Sequence, residues 1–128
     1  MDGARLAGIS LFAGLPEQEL DTLASSAAEV EFAAGESLTT EGDLGHCLFV
    51  IELGKAGVTS GGETLGEVGP GDVVGEIAVL SSGRRTASVV AQTPLRALRW
   101  FKTDVWALEG RAPESVQRLR AALDGHRA

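Results

Sequence analysis

The sequence predicts a mainly β fold with flanking helices, built as a sandwich or jelly roll. Three observations carry that expectation. Short apolar segments cut by turn residues recur from about residue 28 to residue 100. Glycine occurs 17 times and proline only 4 times, a balance suited to many tight turns. Helical periodicity is confined to the two ends of the chain.

The elements follow in order. Pro16 suits a first helical position, with Glu17 and Glu19 in the electropositive first turn. Leu20, Leu23, Ala24 and Ala27 then share one helical face. Near Glu29 the period changes to two: Val30 and Phe32 alternate with Glu29 and Glu31, as in a half-buried strand. The turn Ala34-Gly35-Glu36 precedes a strand over Ser37-Leu38-Thr39-Thr40, and Glu41-Gly42-Asp43 precedes an apolar run from Cys47 to Leu53, read as a central strand. Gly61-Gly62 predicts a hairpin between Val58-Thr59 and Thr64-Leu65. Gly57, inside a strand pattern, predicts a bulge. Gly69-Pro70-Gly71-Asp72 is a further turn, leading into Val73-Val74. Gly75 to Leu80 reads as a tight turn entering one or two helical turns, and Ser81-Ser82-Gly83 as a loop. Thr86–Ala91 and Leu95–Trp100 complete the strands. Thr103 or Asp104 can then cap a helix through Val105, Trp106 and Leu108 that Gly110 stops. Pro113 restarts a helix, with Glu114 in its first turn and Val116, Leu119 and Leu123 as its apolar stripe. Trp100 and Trp106 are expected to pack in the core or between helices. No repeat of 20–50 residues and no internal linker interrupts the pattern.

Composition narrows the function. An apolar share of 44% in 128 residues is enough for one core and too high for a disordered chain. The net charge of −7 argues against a duplex nucleic acid partner, whose binding needs many basic contacts. That charge is unevenly spread. Residues 1–80 hold 14 acids and 2 bases, a balance of −12, whereas residues 81–128 hold 4 acids and 9 bases, a balance of +5. The only cysteine, Cys47, excludes an internal disulfide and reads as a core thiol, which points to a reduced, cytoplasmic setting. His46 and Cys47 are adjacent, and the only other histidine is His126, so no zinc shell or other metal site is expected. No apolar run approaches the ~18 residues of a membrane span. Leu6 to Leu15 is apolar like a short signal core, but Asp2 precedes it and no small-x-small cleavage site follows. Docking onto the domain is its better account. No Gly-x-Ser-x-Gly elbow, P-loop or dinucleotide loop is present, so no enzyme chemistry is expected.

The segment with chemistry is Gly75 to Ser88, GEIAVLSSGRRTAS. The start of a short helix leaves amides, here of Ile77 and Ala78, free to meet an anion. Arg84 and Arg85 follow after a short loop, and an arginine fork suits a phosphate. Strand alternation sends the two to opposite faces, so one enters the site and Arg84 reads as its solvated neighbour. Glu76 beside an anion needs a donor of its own, such as a hydroxyl on the same ligand. Phosphate plus hydroxyl describes a sugar phosphate or nucleotide. Thr86 can add a hydroxyl.

Gly75-Glu76-Ile77-Ala78-Val79-Leu80 followed by Arg85-Thr86-Ala87-Ser88 resembles the phosphate-binding cassette of the cyclic nucleotide-binding domain family. Gly69-Pro70-Gly71-Asp72 and Leu11-Phe12-Ala13-Gly14-Leu15-Pro16 resemble it too, and the likeness covers roughly residues 9 to 124. The resemblance implies one domain over residues 1–128, a double-stranded β-helix (jelly-roll) β-roll, an N-terminal helix, a short cassette helix and two C-terminal helices. It implies that Glu76 takes the ribose 2′-hydroxyl, that Arg85 takes the exocyclic phosphate oxygens, and that the backbone of Gly75, Ile77 and Ala78 lines the sugar phosphate. Thr86 is compatible with cAMP and with cGMP. Leu119 and Leu123 become candidate lid residues over the base, by position alone. No cofactor is implied beyond the ligand, cAMP or cGMP. The implied role is a non-catalytic sensor whose C-terminal helices meet a protein partner or a second copy in a homodimer. No helix-turn-helix segment follows the last helix, so promoter binding by this chain alone is not expected. The competing readings are a ligand-free interaction module of the same fold and a truncated transcription regulator.

Overall fold

The computed structural model describes residues 3–42, 46–75 and 87–126. Helix α1 spans Gly3–Ala7, a 3-10 turn spans Ser10–Phe12, and α2 spans Glu17–Ser26. Eight strands follow among the described residues. They are β1 (Ala28–Phe32), β2 (Ser37–Thr39), β3 (Cys47–Leu53), β4 (Ala56–Ser60), β5 (Glu63–Val68), β6 (Val73–Val74), β7 (Ser88–Ala91) and β8 (Leu95–Phe101). Two helices complete the order, α3 (Lys102–Arg111) and α4 (Pro113–His126).

The strands form two four-stranded sheets, ordered β1-β8-β3-β6 and β2-β7-β4-β5, with antiparallel pairing. The chain crosses repeatedly between them, which makes the predicted jelly roll. The helices cover the outer face of the first sheet. Its central strand β3 is therefore buried on both faces, which is why Leu48, Phe49, Val50 and Ile51 form a continuous apolar run. The period of two sorts them. Leu48 and Val50 join Leu98, Trp100, Leu6, Phe12, Leu23 and Val105 in the core under the helices. Phe49 and Ile51 join Val58, Val89, Leu95 and Ala97 in the core between the sheets. Trp100 ties the helical layer down. Its indole Nε1 donates to the Leu23 carbonyl at 3.0 Å, and its ring meets Phe12 edge-on at 5.9 Å.

The turns follow their residues. Gly61 and Gly62 have φ of 59° and 82°, as a two-residue I′ hairpin between β4 and β5 requires. The N-terminal segment docks as expected, with Leu6, Ile9, Phe12 and Leu15 buried. Arg5 of α1 pairs with Glu52 of β3 and Glu29 of β1, while Arg96 of β8 donates to Glu52 at 2.6 Å. The Arg5 hydrogen bond holds the Glu52 carboxyl below its ordinary range, against burial and with help from Arg96.

Several expectations need correction. Gly57 sits in regular register opposite Glu67 and Val90, and the irregularity falls one step on, between Val58 and Thr59. There Thr59 faces Thr64 and Val58 faces Gly66, which leaves Leu65 as the extra residue. Gly57 instead avoids Gln92, whose side-chain amide would lie 2.9 Å from an added Cβ. Helix α3 starts at Lys102, and Asp104 serves it from the first turn by accepting the Phe101 amide at 3.0 Å. Gly110 lies inside α3, which ends at Arg111. Trp106 is 51% exposed, so it is not a core residue. Strand β7 begins at Ser88, and β2 ends at Thr39. Cys47 is half-buried at the edge of the inter-sheet core.

Candidate functional site

Two strand ends bracket the cassette segment. On the entry side, β6 pairs with β3 through Val73↔Val50 and Val74↔Phe49. The preceding turn is locked by Gly71 N to Ile51 O (2.8 Å), Ile51 N to Asp72 O (3.0 Å) and the Gly69 amide to the Asp72 carboxylate (2.8 Å). Gly71 has φ of 90°, and a Cβ there would lie 2.5 Å from the Ser10 hydroxyl. Gly75 follows with φ of 86°, a left-handed conformation that glycine adopts at no steric cost. The chain therefore turns sharply at the predicted cassette start.

On the exit side, Ala87 is buried, and its carbonyl accepts the Thr39 hydroxyl at 3.2 Å. Ser88 Oγ accepts the Glu41 amide at 2.9 Å, and the Glu41 carboxylate accepts the Gly61 amide at 2.8 Å. The predicted residues Glu76, Ile77, Ala78, Arg84, Arg85 and Thr86 lie outside the described residues. Of the predicted phosphate and ribose site, Gly75 is the described member. Leu119 and Leu123 both fall in α4, as predicted.

Helix α4 is placed by contacts that the sequence reading did not identify. The Glu19 carboxylate accepts both the Ser115 amide (3.0 Å) and the Ser115 hydroxyl (2.9 Å). Arg118 donates to the carbonyls of Leu11 (3.1 Å) and Ala13 (2.5 Å). Val116 shares the buried helical core with Val73 of β6. The last helix thus touches the strand that leads into Gly75. Glu19 and Arg118 lie 96 and 105 residues from their partners Ser115 and Ala13. A single sequence carries no signal for such pairs.

Comparison with known proteins identifies the family. The cyclic nucleotide-binding domain matches residues 29–110. The chain belongs to the cyclic nucleotide-binding domain family. It is 35% identical over 121 residues to a cyclic AMP receptor protein of Thermus thermophilus, covering 91% of this chain and 56% of that protein. It is 32% identical over 99 residues to a cGMP-dependent protein kinase of Eimeria tenella, covering 77% of this chain and 9% of the kinase. The solved structure of a catabolite activator protein from Thermus thermophilus superposes with a TM-score of 0.80 at 34% identity, over 89% of this chain and 56% of that one. The chain spans little more than half the length of that receptor protein. The cyclic nucleotide-binding β-roll expected from the cassette is thereby established as the fold.

Proposed function

We propose that this domain binds cAMP or cGMP through residues 75–86 and acts as a sensor without catalysis. Glu76 takes the ribose 2′-hydroxyl and Arg85 the exocyclic oxygens of the cyclic phosphate. The backbone of Gly75, Ile77 and Ala78 lines the sugar phosphate, and Thr86 adds a hydroxyl. One observation carries the reading. Glu76 and Arg85 stand together at cassette spacing, directly after a Gly75 held in the left-handed region, in a chain of this family. A phosphate with one negative charge needs only an arginine fork and a few amides, so a net charge of −7 does not oppose it.

Signalling runs through α4. Val116 packs in one cluster with Val73, so a ligand that shifts the cassette can bias this helix by its differential affinity for the two arrangements. Leu119 and Leu123 then close over the base, and the C-terminal helices meet a protein partner or a second copy, in a cytoplasmic setting. The similar proteins include both a cAMP receptor and a cGMP-dependent kinase by name, so both nucleotides are carried as ligands.

Titration calorimetry with each nucleotide tests the proposal. Saturable heat is expected for at least one. No heat and no thermal shift at millimolar concentration would sink it in favour of a ligand-free module. A charge-assisted hydrogen bond is worth roughly 1.5–3 kcal/mol, so Arg85→Ala should weaken binding by about one to two orders of magnitude. Unchanged affinity would mean that the phosphate lies elsewhere.

A further inference from the structure

The exit end of the cassette is held by a buried hydroxyl, and the sheet is deformed to put it there. Between the pairs Ser37↔Val90 and Thr39↔Val89, β2 advances two residues while β7 advances one. Leu38 is the extra residue of a bulge. Regular alternation would send Leu38 and Thr39 to opposite faces. With the bulge, both are buried, Leu38 at 8% and Thr39 at 5% exposure. A hydroxyl turned inward is costly unless it finds a partner. Thr39 finds the carbonyl of Ala87, at 3.2 Å. Ala87 lies just before β7 and two residues after Arg85. The next residue is held from the same segment, since Ser88 Oγ accepts the Glu41 amide at 2.9 Å. Ala87 and Ser88, the last two residues of the cassette segment, are therefore tied through hydroxyls to Thr39 and Glu41.

We infer that Thr39 is a positioning residue for nucleotide binding: its hydroxyl fixes the backbone at Ala87, and through it the approach of Arg85 to the ligand phosphate. This rests on the binding function proposed above. Thr39 does not touch the ligand. It lowers the cost of binding by fixing the Ala87 backbone, two residues after the arginine, beforehand.

The test is a double-mutant cycle by calorimetry on the full chain, with whichever of cAMP and cGMP the wild type binds. Thr39→Val keeps the shape and removes the hydroxyl. Loss of one neutral hydrogen bond scales to about three- to ten-fold weaker binding. Thr39→Ser should hold affinity within about two-fold of wild type, because the hydroxyl is what acts. In an Arg85→Ala background, Thr39→Val should cost nothing further. Equal affinity of Thr39→Val and wild type would overturn the inference. So would an equal loss with and without Arg85, which would mark a general structural effect. Should Thr39→Val not fold, Thr39→Ala carries the same test, since it too removes the hydroxyl that bonds the Ala87 carbonyl. A loss that needs Arg85 supports the inference, and unchanged affinity overturns it. A wild type that binds neither nucleotide removes the binding proposal itself, an outcome distinct from binding that ignores Thr39.

Discussion

Gly71 shows how much one residue can carry. It has φ of 90°, and an added Cβ would meet the Ser10 hydroxyl at 2.5 Å. Left-handed backbone costs a non-glycine residue roughly 1–2 kcal/mol. Gly71→Ala should therefore lower stability by at least about 1–2 kcal/mol in denaturant unfolding. Adding Ser10→Ala should recover only the contact part of that loss. Full recovery would show that backbone strain contributes nothing. Glu19 shows the opposite kind of residue. In the sequence it is a first-turn acid suited to the dipole of α2. In the fold its carboxylate also takes two donors of Ser115, which is fully buried. No pattern along the chain distinguishes the second role.

Among elements, α4 depends most on distant contacts. Its N-terminal turn has donors that cannot bond within the helix. The Ser115 amide and hydroxyl are satisfied by Glu19 of α2. Removing the acceptor leaves buried donors unpaired, at roughly 1–3 kcal/mol. Glu19→Ala should lower the unfolding free energy by about that amount, and Glu19→Gln by less, because its amide oxygen still accepts. Denaturant midpoints read this directly, and an Ala variant as stable as wild type would remove Glu19 as the cap of α4. The strands were more legible. The apolar run Cys47 to Leu53 after a turn located β3, and Gly61-Gly62 located the β4–β5 hairpin. The bulges were misplaced because a bulge depends on the partner strand: Gly57 looked irregular and was not, while Leu38 and Leu65 looked regular and are the extra residues.

For the whole molecule, the charge network matters more than the total of −7. Arg5, Glu29, Glu52 and Arg96 join α1 to three strands of the first sheet. The Glu52 carboxyl is held low chiefly by the Arg5 hydrogen bond. A depressed carboxyl stabilises the fold above its unfolded pKa, and the gain is lost as pH falls through the folded value. The stability gap between wild type and Glu52→Gln should thus be steady near neutrality and shrink as pH falls below the ordinary glutamate value of 4.5. Urea unfolding across that range measures it. A gap that stays constant would mean the ionised Glu52 adds nothing. High salt should narrow the gap too, because the surrounding partners are part-exposed.

Local chemistry determined a mainly β fold with helices at its ends and the succession of strands along the chain, while the resemblance of residues 75–88 to a phosphate-binding cassette supplied the β-roll and the proposed roles of Glu76 and Arg85. Turn signals and alternation are properties of neighbours along the chain, so they are present before any tertiary contact forms. The tertiary structure alone decided that Thr39 turns inward onto Ala87, that Glu19 caps α4 and that Arg118 holds the Leu11 and Ala13 carbonyls. Each joins residues 48 or more positions apart. Such a hydrogen bond exists only once two sheets and their helices have packed, because packing brings donor and acceptor within reach and removes the water that would otherwise satisfy them.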